Sequence, residues 1–383
     1  MTFADRLERL PFEQLVAVAE EASPARVDAA LNASSVERTL EDYAALLSPA
    51  AADRLEEMAQ TSRRLTIARF GRTMRMYAPL YLSNECLTTC AYCGFARELP
   101  IARKTLTPEE TLHEARYLLR QGFRSILLLT GEHERLTGLE FLEERIRLLA
   151  REVPQLAVEV QVWSEEEYRR LAAAGCESVV IYQETYHPET YARVHLAGRK
   201  RHYRWRLLGP ERAARAGMRR LGIGALFGLH EDWRYEAIAV AAHARFLMRH
   251  CWRSQVSVSV PRMRPSAAGY EPKAILSDGE LVQLVCALRL LLADVGLVLS
   301  ARESPALRDG LFRVGITHTS AGSHTEPGGY EQPKEATEQF EVADLRPPAE
   351  VAERLREMGY DPVWEDWARV TPSAVSMLSR TRS

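Results

Sequence analysis

Three cysteines within eight residues, Cys86, Cys90 and Cys93, form a C-x3-C-x2-C loop. Three thiolates on one short loop can bind three irons of a cubane [4Fe–4S] cluster and leave the fourth iron without a protein ligand. An open iron can take a substrate directly, whereas a fully cysteine-ligated cluster suits simple electron transfer. A structural zinc needs a fourth ligand and paired C-x2-C spacing. A disulfide would strand an odd thiol. The spacing therefore points to a cluster with one vacant corner. Cys176, Cys251 and Cys286 are scattered in apolar segments and read as small buried hydrophobes.

The rest of the composition fits a cytoplasmic protein whose thiols stay reduced. The chain has 383 residues, of which 46% are hydrophobic. That is enough for one large barrel or two small domains. A formal net charge of −2 calls for neither nucleic acid nor an anionic membrane as partner. No apolar run reaches the length of a membrane span. The first ten residues carry Asp5 and Glu8 and lack an apolar signal region. Basic residues are mostly arginine, with lysine only at Lys104, Lys200, Lys273 and Lys334, a compositional bias.

The elements that must hold the cysteine loop follow from periodicity. Residues 1–70 read as a helical extension, with helices over 12–21, 36–47 and 50–60 and with Ser35 and Ser48 as caps. From about residue 71, short apolar runs alternate with helical patterns. Strands are predicted at 74–82, 124–129, 156–162, 178–182, 220–227, 255–260 and 296–299, and a last one near 311–316. Helices are predicted at 108–121, 138–151, 164–174, 204–216, 235–250 and 277–292. Such alternation implies a parallel sheet. About eight strands favour a closed (β/α)8 barrel of the TIM type over 71–320, rather than an open doubly wound sheet. Residues 321–383 read as a loop and helix packed on the barrel. Within them 324–342 is a long charged loop, either a lid or plain surface, followed by a helix at 348–358 and a tail with Trp364 and Trp367.

The loop from Cys86 to Cys93, with Tyr92 before its last cysteine, resembles the signature of the radical S-adenosylmethionine superfamily. The resemblance implies that S-adenosylmethionine chelates the unique iron and, on reduction, yields a radical that abstracts a hydrogen atom from substrate. Thr130-Gly131-Glu132 resembles the superfamily's GGE element, with Thr130 in place of its first glycine. It implies acceptors for the cofactor's amino group. Glu184 resembles an acid that contacts the ribose or sulfonium side, and Arg206 an arginine for the cofactor carboxylate, a task its planar fork suits. Gly222 and Gly224 lie in a glycine-rich strand similar to the one that passes under the adenine. A surface salt bridge would also account for Glu184 or Arg206.

Further strings resemble the 2-iminoacetate synthase (tyrosine lyase) family of thiamine biosynthesis. They include residues 79–84, 182–186, 256–262, 299–305, 327–330, 339–340 and 362–367. Ala301 departs from a family threonine, and 316–324 departs at several positions. The resemblance implies cleavage of L-tyrosine at Cα–Cβ to 2-iminoacetate and p-cresol. Its implied partners are a thiazole synthase and a flavodoxin- or ferredoxin-type reductant. By analogy with related aromatic amino acid lyases, Arg302 is expected to clamp the tyrosine carboxylate, with Ser320 as a second contact. An ion pair of Arg302 with Glu303 or Asp309 is the plain alternative. His187, His195, His230 and His318 are assigned no role. A tryptophan lyase or a biotin-synthase-like sulfur inserter would share the barrel. A non-catalytic iron–sulfur carrier or a zinc-bound structural barrel would use the cysteines differently.

Overall fold

A computed structural model describes residues 2–331 and 335–365. Its centre is a closed parallel barrel whose strands we number in chain order: β1 (Thr73–Ser83), β2 (Ser125–Thr130), β3 (Gln155–Glu159), β4 (Ser178–Glu184), β5 (Arg220–Ala225), β6 (Gln255–Ser259), β7 (Gly296–Leu299) and β8 (His318–Ser320). Neighbours pair in sequence order, and Arg75–Tyr77 of β1 pair with His318–Ser320 of β8 to close the ring. The (β/α)8 expectation is met.

Local sequence explains most connecting helices. Thr107, Ser164 and Ser277 each cap a helix through a reciprocal capping box with Glu110, Glu167 and Glu280. The helix predicted over 204–216 divides into Tyr203–Leu207 and Gly209–Arg215. Pro210 causes the break, because an interior proline removes a backbone donor and clashes with the preceding turn.

Two expectations are corrected. The segment 311–316 is not the last strand: it belongs largely to a helix, Pro305–Val314, capped by Ser304. Buried Arg308, Leu311 and Phe312 share one helical face, and the strand follows at β8. In the N-terminal extension, Ser35 caps nothing, and the helix is confined to Leu40–Ala45. Thr39 and Asp42 form its capping box, while Arg38 is buried and donates to the carbonyls of Ala30, Ala33 and Leu290. Ser48 does cap the next helix, Pro49–Ala52.

After β8 the chain crosses the barrel mouth, forms the helix Pro348–Glu357 and adds β9 (Asp361–Val363) to the lower end of β1. The C-terminal segment, read as a loop and helix, thus also includes a strand. Trp364 packs edge-on against Phe123 at the barrel foot. Trp367 lies outside the described residues. A buried ion pair between Arg308 and Asp344 ties the crossing segment to the barrel.

Candidate active site

The cysteine loop leaves the end of β1 and is braced before it begins. Asn84 is buried; its side chain accepts from the Lys104 N–H at 2.7 Å and donates to the Ala102 carbonyl at 2.8 Å. Thr88 Oγ1 lies 2.9 Å from Cys86 Sγ and 3.7 Å from Cys90 Sγ. Cys93 Sγ accepts the Phe95 N–H at 3.4 Å and Gln339 Nε2 at 3.6 Å. Gly131 must be glycine, because a Cβ there would sit 2.2 Å from the Glu85 carbonyl oxygen. Thr89–Cys90 pairs with His195–Ala197 in a short antiparallel ribbon over the loop.

The donor set fits an iron–sulfur cluster. Burial pushes the Cys90 thiol up to about 12, and burial and the neighbouring thiol push Cys93 up as well. Cys90 and Cys93 stay deprotonated only beside concentrated positive charge, which cluster irons would supply. Among the described residues, no three or more His, Cys, Asp or Glu side chains converge on a point that one metal ion could fill.

Beside the loop, the ends of β2 and β4 bring opposite charges together. Arg206 donates to Glu132 at 3.3 Å and to the Tyr182 carbonyl at 2.7 Å, and lies 3.8 Å from Glu184. Lys200 donates to Glu184 at 2.7 Å and lies 5.8 Å from the centre of the Tyr92 ring. Burial opposes the charge on Glu184, but Lys200 and Arg206 outweigh it and hold the carboxyl below its usual range. Glu184 is the only non-glycine with positive φ among the described residues, at 71°. It sits where the β4–β5 register shifts. Tyr92 donates to His195 Nε2 at 3.0 Å, while His195 Nδ1 meets the Tyr191 carbonyl at 3.0 Å. Burial keeps His195 neutral, so Nδ1 carries the proton.

Further into the barrel mouth lies a cavity walled by Tyr77, Pro79, Tyr81, Tyr182 and Phe340, with Glu159, Arg302 and Ser320 facing it. The Arg302 guanidinium stacks 3.4 Å from the centre of the Phe340 ring. Both anticipated ion-pair partners are occupied elsewhere. Glu303 binds Arg262, and Asp309 binds Arg346 at 3.0 Å and Arg354 at 2.8 Å. No carboxylate lies within ion-pair distance of Arg302 among the described residues. Burial and the Glu184 charge push Glu159 up to about 7, against the pull of Arg302. The crossing segment forms the roof: Tyr81 donates to Gln339 Oε1 at 2.7 Å, and a Cβ on Gly94 would meet the Gln339 carbonyl at 2.5 Å. The described residues of the 324–342 stretch therefore include a packed cover and are not a plain surface loop.

Comparison with known proteins places these features in a family. Residues 80–240 match the Radical SAM superfamily, and residues 259–361 match the Biotin and Thiamin Synthesis associated domain. The chain is 44% identical to the 2-iminoacetate synthase of Escherichia coli, over 96% of this chain and 97% of that one. The chain belongs to the 2-iminoacetate synthase family. The Salmonella typhimurium member is 43% identical over the same share. The crystal structure of HydG, a maturase of the [FeFe]-hydrogenase, superposes with a TM-score of 0.86 at 31% identity, over 94% of this chain and 81% of that one. Methylornithine synthase shares the fold, with a TM-score of 0.70 at 20% identity, over 88% of this chain and 97% of that one.

In this 2-iminoacetate synthase fold, most predicted site residues meet. Cys86, Cys90, Cys93, Tyr92, Gly131, Glu132, Glu184 and Arg206 surround the loop, with Thr130 at the end of β2. Arg302 and Ser320 face the adjoining cavity. Gly222 does not join them. It lines a cavity at the opposite end of the barrel, and Gly224 packs against the Tyr182 ring. Leu226 and Leu229, beyond β5, cluster with Tyr92 instead. Sequence reasoning missed Lys200, Glu159 and the role of Gln339 as roof. Lys200 had a signal: it is one of four lysines in an arginine-rich chain.

Proposed function

We propose that the chain is a radical S-adenosylmethionine lyase that cleaves the Cα–Cβ bond of L-tyrosine to 2-iminoacetate and p-cresol. One observation carries the substrate reading: Arg302 is an enclosed guanidinium without a carboxylate partner, facing an aromatic cavity beside the cysteine loop. An amino acid with a phenol ring supplies both the missing carboxylate and an apolar body for the walls.

In this reading Cys86, Cys90 and Cys93 hold the cluster. Glu132 accepts from the amino group of S-adenosylmethionine, Arg206 and Lys200 neutralise its carboxylate, and Glu184 and Tyr92 border its nucleoside. Buried polar atoms without partners, Thr130 Oγ1 and the amides of Gln161 and Gln183, remain for a ligand to satisfy. When bound, cluster and cofactor supply a carbon-centred acceptor for one hydrogen atom.

The protein's own part is to bind, orient and move protons. Arg302 clamps the tyrosine carboxylate, and Phe340 fixes the guanidinium plane. Ser320 gives a second contact. Glu159 takes a proton from the α-ammonium, leaving a neutral amine whose N–H is the hydrogen source. A base titrating near neutrality suits that transfer. Tyr77, Tyr81 and Tyr182 hold the ring, so the Cα–Cβ bond breaks with its fragments confined. The roof of Gln339 and Phe340 excludes water that would quench a radical or hydrolyse the imine. A thiazole synthase is the expected consumer of the imine; the match to the Biotin and Thiamin Synthesis associated domain supports that place.

Anaerobic reconstitution followed by product analysis tests the reading. Tyrosine should give p-cresol and glyoxylate, the hydrolysis product of the imine, together with 5′-deoxyadenosine. An indole product from tryptophan, with none from tyrosine, would refute the substrate. No 5′-deoxyadenosine with either amino acid would refute the lyase.

A further inference from the structure

Glu184 is held by its side chain and by its backbone, and different groups do each. Lys200 and Arg206 hold the carboxylate. They do nothing for the backbone, which turns left-handed with φ at 71°. That conformation is uphill for a residue with a Cβ and persists only where its surroundings over-determine it. The surroundings act on the residues that follow. The Glu184 carbonyl accepts the Leu226 N–H at 2.7 Å, and the Tyr186 carbonyl accepts the Tyr203 hydroxyl at 2.7 Å. Two donors of the same turn converge on one side chain, Glu236. It lies in the first turn of the helix Trp233–His250, beyond β5.

Glu236 and Thr185 are both buried. One oxygen of Glu236 accepts the Thr185 hydroxyl, and the other accepts the Tyr186 N–H at 2.8 Å. Thr185 Oγ1 accepts the His187 N–H at 3.2 Å, so its own proton points at Glu236. Both partners of Glu236 are therefore donors, and a side chain with two acceptor oxygens fits between them. A glutamine would set its own N–H2 against one of them. No lysine, arginine or histidine lies within ion-pair distance of Glu236 among the described residues. Burial pushes its carboxyl up, against the pull of Thr185 and Tyr186. An enclosed carboxylate without a counter-cation is costly, and the groups it binds are those of this turn.

We propose that Glu236 is a positioning residue for the S-adenosylmethionine site: it fixes the turn 185–187 and so presents Glu184 to the nucleoside in its left-handed conformation. The proposal rests on the reading of Glu184 as a cofactor contact and adds the group that sets its direction. The β4–β5 register shifts between Tyr182 and Glu184. Without the anchor, the strand end would relax toward extended geometry, where successive side chains alternate between faces. The Glu184 carboxylate would then turn away from Lys200 and Arg206. Glu236 acts only through the turn.

The test is a double-mutant cycle on the reconstituted holoenzyme at about pH 8, where the carboxylate is ionised. S-adenosylmethionine is titrated into the reduced protein, and binding is read from the change in the cluster's electron paramagnetic resonance. Glu236→Gln should weaken binding about tenfold in the parent, the scale for a hydrogen bond to a charged group. Beside Glu184→Ala it should weaken binding by less than about twofold, because its effect runs through Glu184. With saturating S-adenosylmethionine, the KM for tyrosine should stay within about twofold of the parent's. A merely structural role would not give this pattern. Leu284→Ala, in the core of the helix Asp278–Leu291, is the control: it should lower the melting temperature and leave cofactor affinity unchanged. If Glu236→Gln does not load the cluster, Thr185→Val takes its place, with a loss of about threefold that also disappears beside Glu184→Ala. Equal weakening with and without Glu184, or no weakening at all, would overturn the proposal. If Glu184→Ala by itself leaves affinity unchanged, the cofactor reading of Glu184 fails and takes the proposal with it.

Discussion

The two ends of the barrel differ in a way that volume hides. The cavity at the foot is the larger, about 350 Å3 against about 70 Å3 at the mouth. Tyr77, Leu127, Tyr182 and Ser259 border both. At the foot, charges already answer one another. Arg220 lies 3.6 Å from Glu177. Burial, then Arg75, Arg220 and Arg289, push His318 down to about 3, so it stays neutral. At the mouth the balance is open: Arg302 has an aromatic platform and no anion, and Glu159 is poised near neutrality. Of two such cavities, size alone would favour the foot. Here unspent charge, not space, locates the chemistry.

The sharpest way to break that contrast is at the cysteines. Alanine at Cys86, Cys90 or Cys93 should reduce 5′-deoxyadenosine, measured chromatographically, to background, whereas Ser257→Ala in the foot cavity should change it by less than about twofold. Next comes Arg302→Met. It should lower kcat/KM for tyrosine about a hundredfold or more, the scale for losing one side of an enclosed charge pair, while cofactor cleavage without tyrosine persists. Equal loss of both activities would remove Arg302 from the substrate clamp.

Glu159 sharpens the comparison through pH. Its carboxyl, raised to about 7, is protonated below that value and can act as base only above it. Tyrosine turnover should therefore rise with pH through about 7. Glu159→Gln should lower the plateau about tenfold or more and flatten that limb. A parent profile that falls across the same range would exclude the assignment. The smallest effect is expected at Ser320→Ala, about tenfold in KM, the low end for one hydrogen bond to a charged group. Steady-state kinetics with saturating cofactor would measure it.

Much of this contrast was readable in the residues, and the limits are physical. Capped, amphipathic helices and apolar strands announced the barrel. The failures lay where tertiary contacts override local pattern. The stretch 311–316 is apolar enough for a strand, yet Ser304 and Pro305 start a helix upstream of it. Three sulfurs on one loop could be read from spacing alone. Lys200 could not, because it reaches Glu184 from a turn many positions on. Nor could Glu159, whose altered acidity arises from enclosure and from a neighbour on another strand. Gly222 shows the converse: a motif's spelling does not say which end of a strand a glycine occupies.

The backbone at Glu184 carries a further lesson. A β-strand end twisted into the left-handed region costs a non-glycine residue on the order of 1 kcal/mol, and a glycine in its place would relax. That relief would not come free: without the carboxylate, the enclosed Lys200 and Arg206 would lose the anion they share. A twist that looks like a defect in the chain is therefore held in place by the two cations that lean on it.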